Sequence, residues 1–153
     1  VHEGWGILNS YKQTKKLTES DAAYIAGLID GEGTVTLVRK HKNEHRQLSL
    51  SISSTEIALL DFVKSATGVG KITTKKISRP HHSPSFAYAV YNRQALNILE
   101  QIFPFLRSYK RTRAELILGN YLELTPRNGK YSEELLARKK EFERVVLSIK
   151  SSH

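Results

Sequence analysis

The sequence predicts an α+β domain in the order αββαββα followed by C-terminal helices, built around one antiparallel sheet. Three observations carry this. Gln47–Ser53 alternates strictly, with Leu48, Leu50 and Ile52 on one side and Gln47, Ser49, Ser51 and Ser53 on the other, the mark of a half-buried antiparallel strand with a wet polar face. A helix followed by two short β-rich runs occurs twice before Asn92. Glycine pairs at Gly31/Gly33 and Gly68/Gly70 stand where helix gives way to strand.

Residues 1–17 show no clear period and read as an N-terminal arm or extension, with residues 18–153 as one domain whose core spans about 18–124. Thr18 with Asp21 is a capping signal, and Ala22–Ile29 continues as a helix that stops at Asp30-Gly31-Glu32-Gly33. Thr34–Arg39 is rich in β-branched residues and reads as a strand, joined to Gln47–Ser53 by the charged loop Lys40–Arg46. Thr55–Ala66 carries Ile57, Leu60 and Val63 at helical spacing and ends at Gly68-Val69-Gly70. Lys71–Ile77 and Phe86–Tyr91 are the next strands, and Asn92 is the expected N-cap of a helix over Arg93–Phe103. Pro104 breaks that helix, and another is expected from about Arg107 to Leu124. Ser132 caps a last helix, over about 132–150, with Leu135, Phe142 and Ile149 on one face.

The chain has 153 residues, with 24 Lys+Arg against 15 Asp+Glu, a formal net charge of +9, and no cysteine. Cysteine-free composition excludes disulfides and thiolate metal sites. Apolar runs such as Ala22–Ile29 fall short of the ~20 residues that span a bilayer. No basic segment leads into an apolar stretch at the N-terminus, so the expectation is a soluble intracellular protein without a signal peptide, cytoplasmic or organellar. The charge is uneven. Phe62–Leu99 holds no acid but includes Lys64, Lys71, Lys75, Lys76, Arg79 and Arg93, and further basic clusters lie at Arg39–Arg46 and Arg107–Arg113. Such concentration is the footprint of a nucleic-acid surface.

Ala23-Tyr24-Ile25-Ala26-Gly27-Leu28-Ile29-Asp30-Gly31-Glu32-Gly33 resembles the motif of the LAGLIDADG homing endonucleases, Ala26–Glu32 reading AGLIDGE against AGLIDAD. Gln47-Leu48-Ser49-Leu50, Gly68-Val69-Gly70 and Pro104-Phe105-Leu106 extend the resemblance in matching order over 18 to about 124. The family's fold is αββαββα, with the antiparallel sheet as a DNA-binding saddle. A single motif copy resembles the homodimeric members.

The resemblance implies a double-strand break in a long, roughly palindromic DNA target by phosphodiester hydrolysis. Mg²⁺ is the expected cofactor, with Mn²⁺ as a substitute, and no small-molecule substrate or membrane is expected. Glu32 takes the motif's last acidic position as catalytic metal ligand, with the Gly31 carbonyl beside it. An acid and carbonyls at a helix C-terminus suit a hard cation that takes few protein ligands. The family's Asp is one methylene shorter. The family also places a basic residue near the scissile phosphates in the helix after Pro-Phe-Leu. Counting back from Ala114 gives Lys110, whereas counting forward from Leu106 gives Tyr109; an ammonium suits developing phosphate charge, so Lys110 is the candidate. Arg111 and Arg113 are the alternatives for that role, or phosphate contacts.

A β-ribbon fits the major groove. Thr34, Thr36, Lys40, Gln47, Ser49, Ser51, Lys71, Thr73, Lys75 and Arg79 are the expected DNA-contacting set, with Lys110, Arg111 and Arg113. Ala22, Ala26, Gly27 and Asp30 are the expected dimer interface, since small residues permit close helix approach; packing inside the subunit's own core is the other reading. Asp30 is expected to bond locally, not to catalyse. His81 and His82, adjacent and between prolines, make a poor metal cage, and Glu56 is left outside the catalytic set. The competing function is a non-cleaving binder on the same fold, an RNA splicing maturase or a DNA-binding regulator. Retention of Glu32 favours the enzyme, and the short chain favours a free-standing, intron-encoded protein.

Overall fold

A computed structural model describes residues 13–75 and 83–151. Its elements are α1 (Glu19–Glu32), β1 (Gly33–Val38), β2 (Gln47–Ser54), α2 (Ile57–Thr67), β3 (Lys71–Lys75), β4 (Ser85–Tyr91), α3 (Asn92–Ile102), a 3₁₀ turn (Phe103–Phe105), α4 (Tyr109–Asn120) and α5 (Glu133–Ser148). The predicted αββαββα order with C-terminal helices is therefore present. The four strands form one antiparallel sheet in the order β1-β2-β4-β3. Among the described residues no helix is long and apolar enough to cross a membrane.

The sheet has two chemically distinct faces. Val35, Leu37, Leu48, Leu50, Ile52, Tyr88 and Val90 are buried against the helices, with Ile25, Ile29, Leu60, Ile98 and Leu99. Each such aliphatic side chain contributes about 1.5–3 kcal/mol by leaving water. Residues of opposite parity form the outer face. Across it, Thr34 aligns with Ser51, Ala89 and Lys71, and Thr36 with Ser49 and Tyr91.

Several boundaries differ from the sequence reading for identifiable reasons. The first helix does not stop at Asp30 but runs through Glu32, and Gly33 caps it with an N–H donated to the Ile29 carbonyl. A Cβ at Gly33 would lie 2.7 Å from the Ile29 Cα and 2.8 Å from the Ser51 carbonyl oxygen, so only glycine lets β1 pass this close to the helix end. Gly68 ends α2 in the left-handed region, φ 74°. Asn92 is not an N-cap: it is the first residue of α3, at φ 56°, and its Oδ1 accepts from the Tyr121 hydroxyl at 2.9 Å. That hydroxyl accepts in turn from the Leu48 N–H at 3.0 Å, satisfying a strand donor one pair past the end of β4.

The fourth helix is shorter than expected because Ser108 caps it, accepting from the Lys110 N–H, and it ends at Asn120. Of the expected arm, residues 13–17 are tied to the body: Lys15 N–H donates to the Thr67 carbonyl and Leu17 N–H to Gln101 Oε1. Residues 1–12 lie outside the described part.

Candidate functional site

Glu32 is the exposed last residue of α1, at the point where the chain turns directly into β1 and the outer sheet face. The neighbouring turn is held by a reciprocal clasp. Asp30, on the last turn of α1, accepts from the Arg107 N–H at 2.8 Å, the Ser108 N–H at 3.1 Å and the Ser108 hydroxyl at 2.5 Å, at the N-terminus of α4. Lys110, on the first turn of α4, returns its ammonium to the Ile29 and Asp30 carbonyls at 2.8 and 2.9 Å. A carboxylate sits at one helix's N-terminus and an ammonium at the other's C-terminus, both favourable arrangements for the helix dipoles.

The titration of the clasp follows its geometry. Burial alone would raise the Asp30 carboxyl, but the bonds from Ser108 and Arg107 and the charge of Lys110 outweigh it and hold the group below the usual aspartate range. Burial pushes the Lys110 ammonium down, opposed by the negative charges of Asp30 and Glu32. Lys110, the basic residue chosen from sequence, thus lies within the electrostatic field of Glu32, with its ammonium engaged on helix carbonyls.

The donor set offered to a cation is oxygen only: the Glu32 carboxylate and the last-turn carbonyl of Gly31. Among the described residues no three His, Cys, Asp or Glu side chains come together. Two oxygen donors on one chain would suit a hard cation that keeps several waters. A Cβ at Gly31 would meet nothing within 4 Å, and the same holds at Gly27, so this side of α1 is open.

The expected interface residues divide. Ala22 and Ala26 are 4% and 0% exposed within the subunit itself, so they belong to its own core and not to a contact face. Asp30 is committed to α4. Gly27 lies on the exposed face, which the sequence reading missed in phase: Ala23, Tyr24, Gly27 and Gly31 are the outward residues. Tyr24 is braced there edge-on against Phe62, ring centroids 5.3 Å apart.

The expected DNA-contacting residues also divide. Thr34, Thr36, Ser51, Lys71 and Thr73 lie on the outer face in aligned rows, with Gln47 opposite Val38; Ser49 shares their parity but is 6% exposed, so the subunit itself covers it. Lys75 ends β3 and donates to Ser53 Oγ at 2.8 Å. Lys40 sets its ammonium over the Tyr91 ring at 5.5 Å, which brings the β1–β2 loop onto the same surface. Arg111 is exposed, but its guanidinium donates to the Phe103 and Leu106 carbonyls. Arg113 is a correction. It is 7% exposed and bridges inward, Nε to the Ile149 carbonyl at 2.8 Å and a terminal nitrogen to the Val35 carbonyl at 2.9 Å, so it is not presented to a phosphate. Arg79, His81 and His82 lie outside the described residues. The sequence reading left β4 out, although β4 runs through the middle of the sheet; the alternation of Phe86, Tyr88 and Val90 with Ala87, Ala89 and Tyr91 already marked its outer side.

The LAGLIDADG endonuclease family model matches residues 25–117, which takes in the second half of α1, all four strands and most of α4. The chain belongs to the LAGLIDADG endonuclease family. Solved structures share the fold. The homing endonuclease I-CvuI in complex with its target aligns with TM-score 0.68 at 17% identity, covering 88% of this chain and 85% of that one. The archaeal intron-encoded homing endonuclease I-Vdi141I complexed with DNA aligns with TM-score 0.58 at 18% identity, covering 88% and 87%. The LAGLIDADG meganuclease I-AabMI bound to uncleaved DNA, 25% identical with TM-score 0.60, covers 80% of this chain but only 43% of its own. Glu32 is thus the acid that closes the LAGLIDADG motif, carried at the exposed end of the motif helix.

Proposed function

We propose that this LAGLIDADG protein is a site-specific DNA endonuclease that acts as a homodimer and hydrolyses one phosphodiester in each strand of a long, roughly palindromic duplex, with Mg²⁺ as the cation and Mn²⁺ able to replace it. The observation that carries the reading is the position of Glu32: an exposed carboxylate at the junction of the motif helix and the polar sheet face. I-CvuI has been seen with Mg in complex with an uncleaved I-CreI target, and its fold is the one found here.

In this mechanism the outer face of the sheet enters the major groove, where Thr34, Thr36, Gln47, Ser51 and Thr73 are offered to base edges and Lys71 and Lys75 to bases or phosphates. Binding on that face brings a phosphate to the end of α1. Glu32 and the Gly31 carbonyl would hold the cation, which when bound supplies an activated water and stabilises the leaving oxygen. Asp30 and Lys110 keep the α1 terminus fixed on α4, so Glu32 meets the phosphate from a rigid support. Lys110, 7% exposed with its ammonium on the Ile29 and Asp30 carbonyls, serves here by holding that terminus and not by direct contact with the phosphate. Each subunit contributes one such acid, and the open face at Gly27 and Gly31 is where a second motif helix would pack, setting the two acids near a two-fold axis, one for each strand. Residues 18–153 act as one domain in this reading, with residues 13–17 tied onto it.

The test uses Glu32→Gln, which keeps shape and removes charge. Wild-type protein is first used to enrich a preferred site from a pool of random-sequence duplexes, without divalent metal. On that site the variant is expected to bind at least as tightly as wild type, having lost negative charge beside phosphates, and to make no double-strand break with Mg²⁺. Cleavage by the variant at the wild-type rate would remove Glu32 from the mechanism. Failure of wild type to enrich any duplex would remove site-specific binding.

A further inference from the structure

α5 carries a buried acid that the proposed cleavage does not use. Glu143 is 7% exposed, one of its oxygens has no hydrogen-bond partner, and the other lies 3.8 Å from Arg46 Nε. Lys139, one turn earlier and 1% exposed, gives its ammonium to Thr125 Oγ1 at 3.1 Å. A buried carboxylate with a bare oxygen is a poor source of stability, because the desolvation cost offsets most of the attraction. What such a pair does well is fix a geometry.

The geometry it fixes is the root of the β1–β2 loop, residues 39–46. Arg46, the last loop residue, donates to the Leu37 carbonyl at 3.2 Å and is gripped from below by Glu143. His45 packs on Tyr131, at the approach to α5, with ring centroids 4.4 Å apart. At the loop's other end Lys40 rests on Tyr91 of the outer face. The loop is therefore held from α5 at its base and opens onto the surface offered to DNA at its start. β1 begins beside Glu32 and is 6 residues long. At about 3.3 Å per residue the loop stands ~20 Å from the catalytic acid, a distance of roughly six base pairs at 3.4 Å each.

We infer that Glu143, acting through Arg46, is a positioning residue that orients the β1–β2 loop and so sets base preference at the outer part of each half-site. This rests on the DNA-binding reading above. α5 then serves specificity from behind the sheet.

The test compares Glu143→Gln and Arg46→Gln with wild type in two measurements. In the free protein, amide hydrogen exchange over residues 39–46 is expected to quicken by about tenfold or more in both variants, while β1 and β2 keep their protection. In enrichment from a random-sequence duplex pool, both are expected to lose about tenfold of the preference roughly six base pairs from the cut, the scale of one good side chain–base contact, while keeping preference next to it. The double variant should be no worse than either single one, as for two members of one device. Arg46 is more exposed than Glu143, with its side chain 30% exposed against 10%, so its variant answers the question if Glu143→Gln folds poorly. Unchanged exchange over 39–46 would overturn the proposal, as would preference weakened equally at every position, the sign of a merely structural role. If wild type enriches no duplex, the endonuclease reading fails and takes the specificity claim with it, while the exchange data alone decide whether Glu143 holds the loop.

Discussion

Replacing Lys110 by methionine tests whether the α1–α4 clasp holds the end of the motif helix. Methionine keeps the apolar stem of this buried side chain and deletes the ammonium, with its bonds of 2.8 and 2.9 Å to the Ile29 and Asp30 carbonyls. Hydrogen bonds to charged groups contribute about 1.5–3 kcal/mol each. Two terms reduce that sum. The Ile29 carbonyl keeps the Gly33 N–H, so only the Asp30 carbonyl is orphaned, and the burial that depresses the Lys110 ammonium is relieved. The net loss is about 2 kcal/mol, or about 1 M in the urea midpoint for a slope of about 2 kcal/mol/M. Asp30→Asn should cost a similar amount, because an amide nitrogen must face one of the N–H donors that the carboxylate satisfies. The two changes should add to less than their sum, since they dismantle one contact. The sign with pH is also fixed. The Asp30 carboxyl is lowered from its ordinary 3.8, so its contribution is complete above that pH and disappears as pH falls through the folded value. Acid unfolding of Asp30→Asn should lack this component. A Lys110→Met unfolding free energy within ~0.5 kcal/mol of wild type, the range of ordinary surface substitutions, would refute the clasp.

Two further outcomes follow from the outer surfaces. Gly27→Leu enters open space within the subunit and improves helix propensity by about 0.8–1 kcal/mol, so thermal stability of the monomer should not fall. If this face packs on a second copy, the same change should convert dimer to monomer in sedimentation at micromolar concentration, and a dimer that persists unchanged would exclude it. Lys71→Gln should reduce the salt dependence of binding to a non-specific duplex by about 0.9 in log–log slope for each phosphate it no longer neutralises, whereas Arg113→Gln should leave the slope alone and lower stability. A slope lowered by Arg113→Gln would show that Arg113 reaches phosphate after all, and a slope unchanged by Lys71→Gln would remove Lys71 from the surface that binds it.

Much of this was legible because the strands follow a period of two. The parity of Gln47–Ser53 assigned each residue to a face, and the register confirms the rows. The helix that carries Glu32 was legible through its motif and its Thr18 cap. The phase of the motif helix was not, because small residues lie all around it: Ala22 and Ala26 face inward, Ala23 and Gly27 outward, and hydropathy alone does not tell these faces apart. The inward charges were obscured by a different cause. In α4 the buried set is Lys110, Arg113, Ala114 and Ile117, and in α5 it is Lys139, Phe142, Glu143 and Val146. Both follow i, i+3, i+4, i+7, the spacing of a core-facing stripe. Reading only apolar residues for that stripe discards its charged members, and so assigned Arg113 to DNA and overlooked Glu143.

Those inward charges change what the basic composition means. β1 is an edge strand, and an open edge invites pairing with other chains. Here the carbonyls of Val35 and Leu37 accept from the guanidiniums of Arg113 and Arg46. The arginines occupy a strand edge that would otherwise be bare, and α5 supplies the carboxylate behind one of them. Lys110 and Lys139 are likewise spent on helix carbonyls and on Thr125. The formal charge of +9 therefore overstates the charge free to meet phosphate. Along the sheet, the outward basic residues are Lys71 and Lys75 on β3 and Arg39, Lys40 and Lys42 at the loop, at its two margins, while β2 and β4 between them present mainly serine and alanine. Positive margins with a shallow, small-residue floor suit a duplex laid along the sheet: the margins neutralise backbone and the floor lets base edges come close. On this division, charge placed on β2 or β4 would narrow the trough and weaken binding by sterics even as it added attraction.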